Sequence, residues 1–288
     1  MERCIVCGGS EFRKIYSDTL RICMDCGFAT ANMEIDPELL LKTYSVHYFM
    51  GEEYLNYLQD KEILQLNFQK RIRSIQKKLS DSRPVAHVLE IGCAYGFFGE
   101  LVRKNWPAAT YKGIDVVPEA VQYGRETLKL DLAAGNYLDM KSPAQPYTDV
   151  FLWDVIEHLQ FPEKFLARIS QETSDGGRIF ITTGDFSSLL SRWQGQRWRM
   201  IHPPSHIHYF SRANLIRLLS ANGFRTVSAR YIPVYRSLRQ IYYSLFLLNK
   251  TAGISRRFFS LIPSRWSIPL NTFDIFMLIA TKDKSTLP

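Results

Sequence analysis

Four cysteines stand in two matched units, Cys4 and Cys7 in "CIVCGG" and Cys23 and Cys26 in "CMDCGF", separated by the 15 residues 8–22. Two C-x2-C units at this interval have the spacing of a zinc site, with redox thiols as the alternative. Each second cysteine is followed by a glycine, Gly8 or Gly27, which lets the backbone turn tightly around a tetrahedral thiolate centre. Four protein ligands leave no position for water. The metal expected here is therefore a structural Zn2+ that supplies folding energy to a short segment. Cys93, the fifth cysteine, is outside this set and reads as a small apolar packing residue.

A second constellation begins in "VLEIGCAYGFF" (residues 88–98), an apolar run ending in a glycine-bearing turn. A dinucleotide-binding turn would carry G-x-G-x-x-G and seat a pyrophosphate on the next helix. Here Ala94 stands where that fingerprint has its second glycine, and Glu90 closes the strand. A carboxylate repels pyrophosphate and attracts a cation, so the turn suits a positively charged ligand. Asp115 ends the next strand, 19 residues after Gly96, and is placed to accept ribose hydroxyls. Asn136, in "AGNYLDM", follows a third strand and is read as an adenine contact, and Asp154, Glu157 and His158 close a fourth in "WDVIEHL". An isolated Asp after a strand is commonly a turn residue. The matched series instead describes an adenosine site with an acid beneath a cationic group.

The elements that must position these residues alternate. β-Branched runs at 85–92, 110–116, 128–134, 149–155 and 177–183 are separated by helical stretches such as "PEAVQYGRETL". Two further strands, 224–232 and 273–282, follow the helix "RANLIRLLSANGF". This is the pattern of an α/β, Rossmann-like doubly wound sheet, which binds ligands at the carboxyl ends of its strands. Before it, residues 36–78 have helical spacing and many aromatics, including Tyr44, Tyr48, Phe49, Tyr54 and Tyr57. They read as helices packed on the main domain, or as a lid whose rings favour a cationic ligand. "LSDSRP" (79–84) is a polar break. The expected organisation is a zinc ribbon at 1–33, a helical lid or linker at 34–83 and a main domain at 84–288, with 186–272 as a basic acceptor-binding insertion.

On "VLEIGCAYGFF", "GIDVVPEAV", "GNYLDM", "DVIEHL" and "HYFSRANLIRLLSANGF" together, the chain resembles the class I S-adenosylmethionine-dependent methyltransferases from about residue 36 to 282. The resemblance implies a seven-stranded sheet whose last strand is antiparallel, and S-adenosyl-L-methionine as cofactor. It implies that Glu90, Gly92 and Gly96 line the methionine end, with Cys93 and Ala94 in the same turn. Asp115 and its neighbour Val116 would take the ribose, Asn136 and Tyr137 the adenine side, and Trp153 and Asp154 the sulfonium. The family usually has glycine at Ala94; the change adds only a methyl group.

Methyl transfer is an in-line displacement, so the enzyme must align the acceptor and, for a hydroxyl or carbon acceptor, remove a proton. Residues 186–273 hold no carboxylate, but "HPPSHIHYFS" offers His202, His206 and His208. A subgroup that methylates carbons of nucleotide-linked sugars also has an N-terminal zinc module and a Tyr-x-Glu-His cluster before Tyr-Phe-Ser. "SHIHYFS" resembles that region and aligns His206 with its basic histidine. Ser205 replaces the glutamate and no tyrosine precedes it, so transfer to a hydroxyl is expected over C-methylation. The candidate base is His206, with His208 and His158 behind it. Each could instead merely brace a proline-rich loop.

Net charge is +8, yet residues 186–273 alone carry thirteen basic side chains, twelve of them Arg, and no acid. The Arg fork suits phosphate and carboxylate. The span reads as a solvated basic face or as a surface for an anionic small-molecule or lipid-linked acceptor, with peripheral membrane contact through the Arg- and aromatic-rich residues 235–266. No leader-like apolar run opens the chain, and residues 241–248 are too short to span a bilayer. The expected location is the cytoplasm, extending to the inner face of the membrane. The second reading is an RNA methyltransferase gripping RNA through zinc module and basic surface; against it, the zinc segment is not strongly basic. The third is a non-catalytic scaffold that binds S-adenosylmethionine. The sequence carries no sign of an oligomeric state.

Overall fold

The computed structural model describes residues 3–36, 43, 57–78, 85–242 and 266–284. The lid aromatics Tyr44, Tyr48, Phe49 and Tyr54, the break at 79–84 and Arg256, Arg257 and Arg265 lie outside them. The chain forms two compact units, one from Met1–Ser45, Pro84–Ile232 and Thr272–Pro288, the other from Val46–Arg83 and Pro233–Asn271. This partition differs from the one read in sequence. The ribbon shares a unit with the main domain, and parts of 34–83 and 186–272 combine in the other.

In the first unit, β1 (Phe12–Ile15), β2 (Leu20–Cys23) and β3 (Ala29–Ala31) form an antiparallel meander. The αβ alternation then gives β4 (His87–Ile91), β5 (Thr110–Asp115), β6 (Leu132–Ala134), β7 (Tyr147–Trp153) and β8 (Thr173–Gly184). A two-residue strand β9 (His208–Tyr209) and β10 (Phe224–Tyr231) follow. In the second unit, helix α1 (Lys61–Lys78) packs on β11 (Val234–Ser237), which pairs antiparallel with β12 (Ser267–Leu270). There Asn67 pairs with both backbone groups of Tyr235, accepting from its N–H at 2.8 Å and donating to its carbonyl at 2.9 Å. β13 (Ile275–Lys282) returns to the first unit.

The central sheet has seven strands in the order β10-β13-β8-β7-β4-β5-β6. β4 through β8 pair in parallel, and β13, the last strand, enters antiparallel between β8 and β10. The order reverses at β4, which has β5 on one side and β7 on the other, so a crevice opens at its carboxyl end. β4, β13 and the second half of β7 read as near-continuous apolar runs because both faces of the sheet are covered. Helices α2 (Phe97–Asn105), α3 (Pro118–Glu126) and α4 (Pro162–Glu172) connect the parallel strands. A buried ion pair, Arg178 Nε to Asp149 Oδ1 at 2.5 Å, fixes the register of β7 against β8.

Candidate functional site

The ribbon brings its four thiols together. Sulfur atoms of Cys4, Cys7, Cys23 and Cys26 lie within 4.8 Å of one another, with Cys4–Cys26 at 3.6 Å and Cys7–Cys23 at 3.5 Å. The two knuckles repeat one geometry: Gly8 N–H donates to Cys4 O at 2.8 Å and Gly27 N–H to Cys23 O at 2.9 Å, both glycines at positive φ. Burial pushes the Cys4 thiol up to about 11 and raises Cys26 as well. A divalent cation would reverse that penalty by holding the sulfurs as thiolates. The donor set is that of a closed tetrahedral zinc site.

Sequence reading missed how this module is seated. β9 adds a fourth strand to the ribbon sheet, pairing Ala29 with Tyr209 and Thr30 with His208. Phe28, fully buried, packs its ring on those of His208 and Phe210. Asn214, locked in a capping box with Ser211 at the start of helix α5 (Arg212–Ala221), donates to Cys26 O at 2.9 Å. Gln160 donates to Ile35 O at 3.0 Å. Cys4, Val6, Cys23 and Phe28 belong to the same buried cluster as Leu215, Leu218 and the sheet residues.

His208 is therefore engaged away from the other candidate histidines. Its Nδ1 meets Thr30 Oγ1 at 3.1 Å, it is 1% exposed, and burial lowers its pKa to about 4. "SHIHYFSRAN" is in this structure the ribbon's seat.

The glycine turn after β4 is drawn tight from two directions. Gly92 has φ 75° and lies so close to Val155 that a Cβ would stand 2.4 Å from its Cγ2. Ala94 takes φ 47°, a left-handed conformation that costs an L-residue roughly 1 kcal/mol. Asp115 pins it there: Oδ2 accepts the Ala94 N–H at 2.7 Å and Oδ1 the Val117 N–H at 3.0 Å. The carboxylate thus ties the turn after β4 to the turn after β5, and its remaining lone pairs can serve a ribose.

Glu90 is buried under this turn and accepts a hydrogen bond from the Tyr111 hydroxyl. Burial raises its pKa well above the usual carboxylate range, and Asp115 nearby adds to the rise. Cys93 packs as a small buried group, its thiol pushed up by burial.

The adenine-side residues divide. Asn136 is exposed and caps the short turn Tyr137–Asp139 by accepting the Leu138 N–H at 3.1 Å. Val116 is 44% exposed beside Asp115. Tyr137 turns inward: its hydroxyl donates to Glu172 at 2.7 Å, and its ring packs on Phe165 under Arg168. Its side chain is committed to the core, a role that apolar spacing in "GNYLDM" does not reveal. Trp153 packs its indole against Phe98 and Phe151. Asp154 follows at φ 56°, held in that strained conformation by its N–H donating to Thr182 O at 3.1 Å and Oγ1 at 3.0 Å.

Beyond Asp154, three of the four candidate histidines gather. The rings of His158 and His206 meet edge to face at 4.5 Å, and His202 lies on His206 at 3.9 Å. Glu157 joins them, with its carboxylate and one nitrogen of each of His158 and His206 within 4.8 Å of one another. Its adjacency to His158 in a single turn, Ile156–His158, is the signal in the sequence that points to it.

A family model described as a methyltransferase domain matches residues 64–229, more than half of the chain. The chain belongs to the methyltransferase domain family. Its seven-stranded sheet has the class I methyltransferase architecture. The methyltransferase is 26% identical over 141 residues to a malonyl-[acyl-carrier protein] O-methyltransferase of Alcanivorax borkumensis, covering 46% of each chain. It is 26% identical over 159 residues to ribosomal RNA small subunit methyltransferase C of Ectopseudomonas mendocina, covering 52% of this chain and 43% of that one. The methyltransferase thus spans less than half the length of these curated relatives. Its fold is similar to magnesium protoporphyrin IX methyltransferase from Synechocystis PCC 6803, solved with bound S-adenosylhomocysteine. That likeness has a TM-score of 0.52 at 12% identity, over 86% of this chain and all of the other. No helix among the described residues is long and apolar enough to cross a membrane.

Proposed function

We propose that the methyltransferase transfers a methyl group to a hydroxyl of an anionic acceptor, a phosphate-bearing small molecule or a lipid-linked carbohydrate. A structural Zn2+ on Cys4, Cys7, Cys23 and Cys26 holds the ribbon, and the enzyme works in the cytoplasm or at the inner face of the membrane. The observation that carries the hydroxyl acceptor is the cluster of His158, His206 and Glu157, just after the strained Asp154. Nδ1 of His158 lies 2.8 Å from Ser205 O, and Nδ1 of His206 lies 2.8 Å from Met200 O. A carbonyl only accepts, so each Nδ1 carries the hydrogen and each Nε2 is the acceptor nitrogen of its ring. Burial keeps both rings neutral: His158 is lowered to about 4 and His206 well below its ordinary value.

In the reaction the hydroxyl gives up its proton and its oxygen lone pair attacks the methyl carbon. The carbon–sulfur bond breaks with its electrons staying on sulfur, which leaves a methyl ether, S-adenosylhomocysteine and the proton. The turn from Glu90 to Gly96 holds the methionine end of the donor, with Asp115 on the ribose. The anionic acceptor rests on charge: the span 186–273 carries thirteen basic residues and no acid, while among the described residues Arg199, Arg212 and Arg225 pair with acids outside it.

A second reading comes from the relatives named for a malonyl-thioester: a carboxylate acceptor, which needs no proton removal. One experiment separates them. The enzyme is incubated with methyl-labelled donor and nucleotide-sugars, polyprenyl-linked glycans, malonyl-acyl carrier protein or ribosomal RNA, and the product is treated with mild alkali. Label that stays on the carbohydrate as an alkali-stable ether supports the proposal. Label released as methanol, or found in RNA, contradicts it.

A further inference from the structure

We propose that the short helix Leu189–Gln194 is a membrane-surface anchor, setting Leu189 and Trp193 into the interface of an anionic bilayer with Arg192 and Arg197 on its headgroups. The helix is amphipathic the wrong way round. The residue it buries is Ser191, with Leu190 half-buried and the capping Ser188 buried, whereas Leu189 is 84% exposed and Trp193 82%. Leu189 and Trp193 stand four residues apart and so share one face of the helix. The side toward the protein takes small serines; the side toward water carries a large aliphatic group and an indole. Single exposed apolar residues are ordinary, but two of this size on one turn form a patch that water disfavours.

The helix is tied down in this pose. Ser188 Oγ accepts the Ser191 N–H at 3.1 Å, and Asp185 Oδ1 accepts the Ser187 N–H at 3.0 Å and its hydroxyl at 2.6 Å. Asp185 is fixed in turn by Arg212 Nε at 3.0 Å and the Tyr231 hydroxyl at 2.8 Å. The outward direction of Leu189 and Trp193 is therefore set by the fold.

Charge identifies the occupant. Arg192 in the helix and Arg197 in the following turn, Gly195–Arg197, are both exposed and lie in the acid-free span 186–273. Trp joins an apolar ring to a polar N–H, and Arg an apolar stem to a charged head, so both favour the boundary between acyl chains and headgroups. Arginines there are drawn to anionic lipid. RNA could use the arginines and stack on Trp193, but it offers Leu189 no apolar phase.

The anchor stands at the working end of the sheet. β8 ends at Gly184 and runs parallel to β7 and β4, so the helix lies beyond the same carboxyl end as the donor turn. The inference rests on the anionic-acceptor reading above and narrows it to a carbohydrate on a lipid carrier. Such an acceptor reaches the donor crevice while its lipid stays in the bilayer.

The test is flotation of the full-length, zinc-loaded protein with vesicles of phosphatidylcholine, with and without phosphatidylglycerol. Binding to the anionic vesicles should be at least about tenfold tighter than to the neutral ones, the expectation for two arginines at a charged surface. Leu189→Ser combined with Trp193→Ser should weaken it at least about tenfold, since burying one large apolar side chain accounts for that factor. Bromine-labelled acyl chains should quench tryptophan emission in the wild type that Trp193→Phe lacks. An unchanged thermal unfolding transition verifies the fold of each variant. The proposal is overturned if the wild type floats with neither vesicle, if the folded double variant floats unchanged, or if bromolipid quenching is equal in Trp193→Phe. It is also overturned if, without flotation, the same substitutions abolish binding to ribosomal RNA or dimerisation in sedimentation. Flotation needs neither donor nor acceptor. An alkali-stable ether formed on a soluble nucleotide-sugar by a protein that does not float would uphold the hydroxyl reading and refute the anchor.

Discussion

Thr30 and His208 face each other across an antiparallel strand pair, with Thr30 Oγ1 3.1 Å from His208 Nδ1. They are 178 residues apart in sequence, and their pairing makes the ribbon part of the methyltransferase unit. His208→Ala removes a fully buried ring and leaves the Thr30 hydroxyl with one partner fewer. It should destabilise the protein by about 2–4 kcal/mol while leaving donor affinity within about twofold. Urea unfolding and a donor titration on the same variant measure both quantities. A variant as stable as wild type would remove the seam from the account.

Loss of the zinc ligands should reach further than the ribbon. Cys4 and Cys23 lie in the cluster that also contains Leu215, Leu218 and Phe276 of the main domain. Cys26→Ser should lower the zinc content by one ion per chain and broaden or lower the unfolding transition of the whole first unit. Elemental analysis and calorimetry check this together. An unchanged single transition with no zinc bound would mean that the ribbon is an independent appendage.

Glu90 makes donor binding depend on pH. Its carboxyl is raised by burial and by Asp115, and the Tyr111 hydroxyl donates to it. Asp115, itself raised by burial, and Cys93 also lie beside it. Because the folded-state pKa is raised, the folded protein holds this proton more tightly than the unfolded chain. Stability from this group is therefore present at low pH and is lost as pH rises from about 4.3 through the folded value. A cationic donor favours the carboxylate, so donor binding expels the proton and tightens over the same interval. Glu90→Gln should bind donor more weakly and flatten this dependence. Calorimetry in buffers of different ionisation enthalpy counts the proton, and equal pH profiles for the two proteins would refute the linkage.

Asp274→Ala should be severely destabilising. Its buried carboxylate accepts from Trp198 Nε1 at 2.9 Å, from both terminal nitrogens of Arg199 at 2.5 and 3.2 Å, and from the Thr272 hydroxyl. Removing the acid leaves a buried cluster of donors, a loss of about 3–5 kcal/mol. A shift in urea midpoint measures it, and a change below about 1 kcal/mol would show the network to be incidental.

The same aspartate shows where sequence reading stopped. The acid-free stretch 186–273 stands out in the sequence, but its flanking residues Asp185 and Asp274 are the partners of Arg212 and Arg199 inside it. Local charge counting sees a basic face; the chain instead brings both ends of the stretch together, Asp185 N–H donating to Asp274 O at 2.7 Å. The αβ alternation and the glycine-bearing turn were legible because apolar runs and Gly92 are local signals, whereas the strand order is set by pairings between distant segments. The contacts of Tyr137 and His208 were not legible for the opposite reason. Their roles depend on Glu172 and Thr30, distant partners that no spacing rule supplies. Glu157 sat beside a named histidine, but only the turn at Ile156–His158 and the return of the chain at His206 show that the three converge.

The central claim is that the turn closed by Asp115 is a donor site, and a calorimetric titration of the zinc-loaded protein with S-adenosylhomocysteine tests it most directly. One molecule bound per chain, with affinity reduced at least about tenfold in Asp115→Ala, is the predicted result, since one charge-assisted hydrogen-bonding group is worth about 1.5–3 kcal/mol. No heat of binding in the folded wild-type protein, or equal affinity in the folded variant, would contradict it.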